Sequence, residues 1–175
     1  MTANKDEKTP KQGKFTVSVE GNIGSGKTAL LEYFSSNFPE TMVLQEPVER
    51  WRNVKGHNLL SLMYKDSARW SLTFQTYVQL TMINLHRTSH TSPVKLMERS
   101  IFSAKYCFVE NLYKSGAMPE VEYIVLSEWF DWLVNNEDVH LDLIVYLQTK
   151  PEVVLERIHK RCREEEVSVP LVIFT

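Results

Sequence analysis

An α/β fold, a parallel sheet with helices on both faces, is the architecture this sequence predicts. Three observations point to it. Segments of strand character alternate with segments of helical character along the chain, the pattern of strand–helix–strand units. The run Leu141 to Leu147 is apolar at strand length, as expected for a strand buried on both faces. The chain has 175 residues, 43% hydrophobic and 24% charged, with no internal repeat, low-complexity tract or linker. That is one domain with its own core, and not a disordered chain.

The elements follow in order. Met1 to Lys14 is polar and mixed in charge and reads as a disordered tail before a domain at 15–175. The tail has no Arg, no Ser and two adjacent acids, Asp6 and Glu7, unlike an import peptide. A cytoplasmic location is therefore expected, with a mitochondrial one as the alternative. Phe15 to Glu20 alternates and is β-branched, so it reads as a strand that stops at Gly21. After a Gly-rich loop, Thr28 to Phe34 has helical character, and Met42 to Leu44 is a second strand ended by Glu46-Pro47. Trp51 to Lys65 reads as irregular. Asp66 to about His86 reads as a long helix capped by Asp66 or Ser67. Val94 to Glu98 is a third strand, and Ser100 to Tyr113 and Val121 to Asn135 are helices. Pro151 opens a last helix to about Glu165, since proline suits a first helical turn.

Composition excludes several classes of function. Twenty Lys and Arg against 22 Asp and Glu give a formal charge of −2, which makes no case for nucleic-acid binding. No run of about 18 apolar residues exists, so no membrane span is expected. Two cysteines, Cys107 and Cys162, make no disulfide framework, which suits a reducing compartment.

One motif carries chemistry on its own. Gly21-Asn22-Ile23-Gly24-Ser25-Gly26-Lys27-Thr28 matches G-x-x-x-x-G-K-[ST] in full, with a strand before it and a helix after it. Glycines let backbone N–H groups turn toward phosphate oxygens, and the helix start adds unpaired donors and a positive dipole end. Lys27 places a charge on the β- and γ-phosphates, and Thr28 offers a hydroxyl to Mg²⁺. The competing reading is a glycine-rich turn with an exposed lysine. The fold class is thus a P-loop NTPase-type sheet that binds a nucleotide, but the loop does not say what receives the phosphate.

Candidates for that part lie at the carboxyl ends of the strands, where open α/β sheets bind ligands. Glu46 ends the second strand, where a carboxylate can take a proton from an attacking hydroxyl; it reads equally as a surface residue. Glu98 and Arg99 end the third strand. Glu98 suits a Mg²⁺ shell and Arg99 can orient Glu46, and the alternative is a structural Glu98–Arg99 ion pair. In the long helix Gln75, Val78, Gln79 and Met82 share a face. A Gln75 amide there can pair with a nucleobase edge, or simply with backbone or solvent. Trp51, Met63, Tyr64 and Phe108 can line an aromatic slot or the core. Arg157, Lys160, Arg161 and Arg163 cluster near the end. The Arg-x-Arg pair among them, Arg161 and Arg163, reads as a lid over the transferred phosphoryl group, and the alternative is a solvated charged helix end.

Taken together, these stretches resemble the deoxyribonucleoside kinase family, in its branch of mitochondrial thymidine kinases and insect multisubstrate kinases. The resemblance rests on Glu20 to Thr28, Glu46 to Val54, Leu62-Met63-Tyr64, Phe74 to Val78, Met97 to Ala104 and Arg161 to Glu166. It implies ATP-dependent phosphorylation of a deoxynucleoside 5′-hydroxyl in nucleotide salvage, with Mg²⁺. Glu46 would be the base, with Arg99 beside it. Gln75 would read the nucleobase between Trp51, Phe74 and Phe108, and Tyr64 and Glu166 would bind the 3′-hydroxyl. Val78, Met82 and Ala104 would set pocket size, and Arg161 and Arg163 would form the lid. Members are typically homodimers.

Two departures from the family pattern stand out. Lys105 replaces an arginine, which keeps the charge but loses a planar fork. After Val169-Pro170-Leu171 the family continues through further helices and a last strand, whereas this sequence ends at Val172-Ile173-Phe174-Thr175. The expectation is a C-terminally incomplete domain, lacking those helices, with room at most for a short strand. Two alternatives stand beside the kinase: a nucleoside monophosphate kinase, which would need a second basic pocket, and a non-catalytic nucleotide-binding paralogue or isoform. A GTP-binding switch is disfavoured, because no Asn/Lys-x-Asp pattern follows the fourth strand.

Overall fold

The computed structural model describes residues 13–161. Its centre is a four-stranded parallel sheet of β1 (Phe15–Gly21), β2 (Thr41–Leu44), β3 (Val94–Glu98) and β4 (Leu143–Leu147), in the order β2-β3-β1-β4. Parallel strands need crossovers, and helices supply them. Between β1 and β2 lies α1 (Lys27–Asn37). Between β2 and β3 lie α2 (Val48–Arg52), α3 (Leu59–Lys65) and α4 (Ser67–His86). Between β3 and β4 come α5 (Ile101–Ser103), a π-helical segment (Ala104–Val109), α6 (Glu110–Lys114) and α7 (Glu120–Asn136), and α8 (Pro151–Arg161) follows β4.

Helices lie on both faces, as expected. Val17, Val19 and Leu96 point to one face and pack with Leu31 of α1. Lys95 points to the other, where its Nζ donates to the carbonyl of His86 at the end of α4. A second core joins α4, α7 and the chain after β3 through Phe74, Val78, Met82, Ile101 and Phe130. With β1 and β3 adjacent in register, their carboxyl ends, Gly21 and Glu98, come to the same rim.

Three expectations need correction. Trp51 to Lys65 is not irregular: α2 and α3 occupy most of it. The Asn58 side chain caps α3 by accepting from the Ser61 N–H, and Leu59 and Leu60 are buried. Ser100 to Tyr113 is not one α-helix, because the π-helical segment interrupts it. β4 is not buried on both faces. It pairs only with β1 at the sheet's edge among the described residues, and Tyr146 is 66% exposed. The tail at 1–14 lies outside the described residues except for its last two; Lys14 donates to the His90 carbonyl at 2.7 Å. No helix among the described residues is long and apolar enough to cross a membrane.

Candidate functional site

The loop between β1 and α1 is shaped by close approach. At Gly21, φ is +148°, and a Cβ would stand 2.7 Å from Ser25 Oγ and 2.9 Å from the Leu147 carbonyl. At Gly24, φ is +76°, and a Cβ would meet the Val154 carbonyl of α8 at 3.2 Å. Both positions therefore need glycine. Asn22 braces the turn by accepting from the Ile23 N–H at 2.8 Å. Gly26 leads into α1 without a side-chain cap, so the first helical N–H groups face the loop's concavity. Ser25 Oγ is buried there with no hydrogen-bond partner among the described residues. Lys27 is only 4% exposed, which rules out a solvated loop lysine. Its ammonium donates to the carbonyls of Gly21 (3.0 Å) and Asn22 (2.7 Å). Burial, then Arg99, lowers its pKa to about 8 against the pull of Glu46, Glu98 and Glu20. An uncapped helix start, an orphan hydroxyl and a poorly solvated ammonium make a cradle for an anion.

Beside the loop stand the two carboxylates. Arg99 Nη1 donates to both oxygens of Glu46 at 2.8 Å, and Nη2 reaches the Gly21 carbonyl at 3.4 Å. Arg99 therefore pairs with Glu46, and the Glu98–Arg99 pair is not formed. Burial works to lower the Arg99 pKa, but Glu46 overrides it and raises it. Glu98 instead accepts from Thr28 Oγ1 at 2.8 Å and from the Glu46 N–H at 3.4 Å. No cluster of three or more His, Cys, Asp or Glu among the described residues is arranged to hold a metal ion. The Thr28–Glu98 pair suits Mg²⁺, which takes few protein ligands and completes its shell with water and phosphate.

The same cavity, about 410 Å³, runs from Gly24, Gly26, Lys27 and Thr28 past Glu46, Glu98 and Arg99 into an apolar slot. The slot is lined by Trp51, Met63, Tyr64, Phe74, Gln75, Val78, Met82, Ala104 and Phe108. Trp51 packs edge-to-face on Phe74 at 5.6 Å, and its indole N–H donates to Thr81 Oγ1 at 2.9 Å. Phe108 lies under the Arg99 guanidinium at 4.7 Å. Gln75 is 2% exposed, and its Oε1 has no hydrogen-bond partner among the described residues. Arg161 reaches the cavity from α8; Arg163 and Glu166 lie outside the described residues.

Two participants were not assigned from the sequence. Arg157, one turn before Arg161, donates to the Gly24 and Ser25 carbonyls at 3.3 and 3.2 Å. Its i, i+4 spacing from Arg161 is the signal that would have found it. Glu20 accepts from Ser18 Oγ (2.6 Å) and Ser100 Oγ (2.7 Å), tying β1 to the end of β3. A lone acid in a strand of core residues was its signal.

Fold and site together define the class: a P-loop α/β protein whose phosphate loop opens onto an apolar pocket with a carboxylate–arginine pair between them. A sequence model of the deoxynucleoside kinase family matches residues 17–172. The chain belongs to that family. It is 61% identical over 166 residues to human "Thymidine kinase 2, mitochondrial", covering 95% of this chain and 62% of that protein. "Thymidine kinase 2, mitochondrial" of Macaca fascicularis is 60% identical over 166 residues, covering 95% of this chain and 62% of that protein. Human "Deoxycytidine kinase" is 37% identical over 179 residues, covering 89% of this chain and 69% of that protein. The chain thus spans about 62% of the length of the thymidine kinase relatives it matches.

Proposed function

We propose that this protein transfers the γ-phosphoryl group of ATP to the 5′-hydroxyl of a deoxynucleoside, thymidine or deoxycytidine, with purines tolerated if the pocket is roomy, in nucleotide salvage. The observation that carries the reading is the position of Glu46. Arg99 clamps both its oxygens at the boundary between the phosphate loop and the apolar slot. A nucleoside with its base in the slot would bring its 5′-hydroxyl to that carboxylate.

The chain's residues divide the work. Loop N–H groups from Gly21 to Thr28 and Lys27 hold the phosphates of ATP, and Arg157 and Arg161 approach from α8. Thr28 and Glu98 would hold Mg²⁺, which neutralises phosphate charge. Gln75 reads the base edge between Trp51, Phe74 and Phe108, Met63 packs beside it, and Val78, Met82 and Ala104 bound its size. Tyr64 lies against the sugar, and Arg163 and Glu166 are assigned by family resemblance to the lid and the 3′-hydroxyl. Glu46 accepts the proton as the 5′-oxygen bonds to the γ-phosphorus and the bond to the β–γ bridging oxygen breaks, releasing ADP. Positioning and charge neutralisation supply most of the rate.

The thymidine kinase relatives named mitochondrial favour the mitochondrial alternative over the cytoplasmic one. A homodimer is supported by α7. Its outward face carries Val121, Val125, Trp129 and Trp132, all exposed, with the two tryptophans stacked at 5.5 Å.

The test is a coupled assay with thymidine, deoxycytidine and thymidine monophosphate as acceptors. Glu46→Gln is expected to lower kcat at least about a hundredfold while ATP binding is unchanged. Wild-type-like turnover in that variant sinks the assignment. A folded chain that binds ATP and turns over no nucleoside would make it a non-catalytic relative.

A further inference from the structure

The most isolated polar side chain in the described structure sits directly behind the base-reading residue. Gln79 is 0% exposed, and neither Oε1 nor Nε2 has a hydrogen-bond partner among the described residues. It lies four residues after Gln75 on α4, so the two side chains stack on one face. Side chains on a helix lean toward its N-terminus, which carries the Gln79 amide toward Gln75. Gln75 Oε1 is itself buried and unpartnered. Three unpaired amide atoms therefore lie on adjacent turns, where a buried polar group without a partner is costly.

Other partners for Gln79 are already committed. The backbone of α4 is bonded within the helix. Thr81 Oγ1 takes the Trp51 indole and donates to the Val78 carbonyl. The chain after β3 packs on α4, but Ser103 Oγ donates to the Ser100 carbonyl and Lys105 Nζ to Glu110. Two other unpartnered polar atoms lie along this helix among the described residues, Gln75 Oε1 one turn before Gln79 and His86 Nδ1 two turns after it, and the Gln79 side chain leans toward Gln75.

That pairing has a consequence for the base. An amide presents a donor and an acceptor side by side, and turning it over exchanges them. Thymine offers an N3–H donor beside an O4 acceptor, and cytosine offers the reverse, an N3 acceptor beside an amino group. Gln75 must therefore turn over to read one base or the other. Each orientation leaves it an inward lone pair or an inward N–H to satisfy. A second amide, unanchored by anything else, serves as donor in one case and acceptor in the other.

We infer that Gln79 is a positioning residue of the base pocket: it pairs with Gln75 in whichever orientation the base demands, and so sets the balance between thymine and cytosine. The inference rests on the proposed reading of Gln75 and extends it by one helical turn. The two amides are not hydrogen-bonded to each other in this structure, so the contact is completed by a side-chain rotation or through one buried water.

Equilibrium binding of thymidine, deoxycytidine and ATP to the full chain tests it without requiring turnover. Gln79→Leu removes the amide at similar volume. Losing an inward N–H partner costs more than losing a carbonyl's second partner, so the two bases suffer unequally. The expected result is a change of about threefold or more in the thymidine to deoxycytidine affinity ratio, with ATP binding unchanged. Thermal stability should be kept or raised, since an apolar residue replaces an unsatisfied amide. Gln79→Met should reproduce the shift, and it stands in if the leucine variant does not fold. Gln75→Leu separates the two claims. If it weakens both nucleosides while Gln79→Leu and Gln79→Met leave the ratio unchanged, the inference about Gln79 is overturned and the base pocket stands. If Gln75→Leu leaves both affinities intact, or the wild-type chain binds neither nucleoside, the base pocket and the inference fall together.

Discussion

Arg99 sits at φ +60°, a conformation that a long side chain adopts only when its surroundings impose it. They do so at several points. Its N–H donates to the Val19 carbonyl at 3.0 Å, its guanidinium grips Glu46, and the Phe108 ring lies beneath it. Both members of the ion pair are nearly buried, so neither tolerates the loss of the other. Arg99→Ala should therefore destabilise the fold by about 3–5 kcal/mol, read from urea unfolding, beyond any effect on turnover. A loss under 1 kcal/mol would mean that water reaches Glu46 freely. Arg99→Lys should recover only part, because an ammonium lacks the planar fork. That an Arg and a Glu at two strand ends would be useful was legible in the sequence. Which carboxylate takes the arginine was not: it depends on β3 lying between β1 and β2, which sets the end of β2 beside Arg99.

At the scale of elements, the end of α4 carries a titratable anchor. His86 is buried where α4 meets the turn after β3, and its Nε2 accepts from the Ile101 N–H at 3.2 Å. Its carbonyl takes the Lys95 ammonium. Burial, then Lys95, lowers its pKa from 6.5 to about 4, with Asp138 opposing. Between those values the unfolded chain binds a proton that the native one refuses. Stability must then fall as pH drops from 6.5 toward 4, by about 2 kcal/mol at pH 5. Urea unfolding at pH 7 and pH 5 reads this directly, and a His86→Gln variant should lose that part of the slope. The same helix shows what periodicity conveys. Its span and its Asp66 cap were legible because a 20-residue amphipathic repeat outweighs local ambiguity. The short helices α2 and α3 were not, since five or seven residues hold too little pattern and are stabilised by packing. The π-helical stretch was equally hidden, because its sequence suits an ordinary helix.

For the whole molecule, the open question at the surface is what covers α7. Its inner face buries Leu126, Phe130 and Leu133, and its outer face is also apolar. An exposed stripe of large apolar side chains on a helix whose inner face is already buried marks an interaction surface. A second copy of the chain is the expected cover, and sedimentation should find a dimer. Replacing Val125 and Trp129 with aspartate should give a monomer that still binds ATP, since neither residue lines the cavity. A wild-type chain that stays monomeric at tens of micromolar removes the dimer from this account.

The sequence by itself determined the α/β class, the phosphate loop and most of the pocket's membership. Those features are written in short contiguous motifs and in helical and strand periods, which local chemistry enforces. Only the tertiary structure decided that Arg99 pairs with Glu46 while Glu98 holds Thr28, that Arg157 touches the loop, that β4 stands at an edge, and that Gln79 lies unpartnered behind Gln75. Each of these is a contact or an absence of contact between distant segments, set by strand order and packing, and one residue's neighbours along the chain do not encode it.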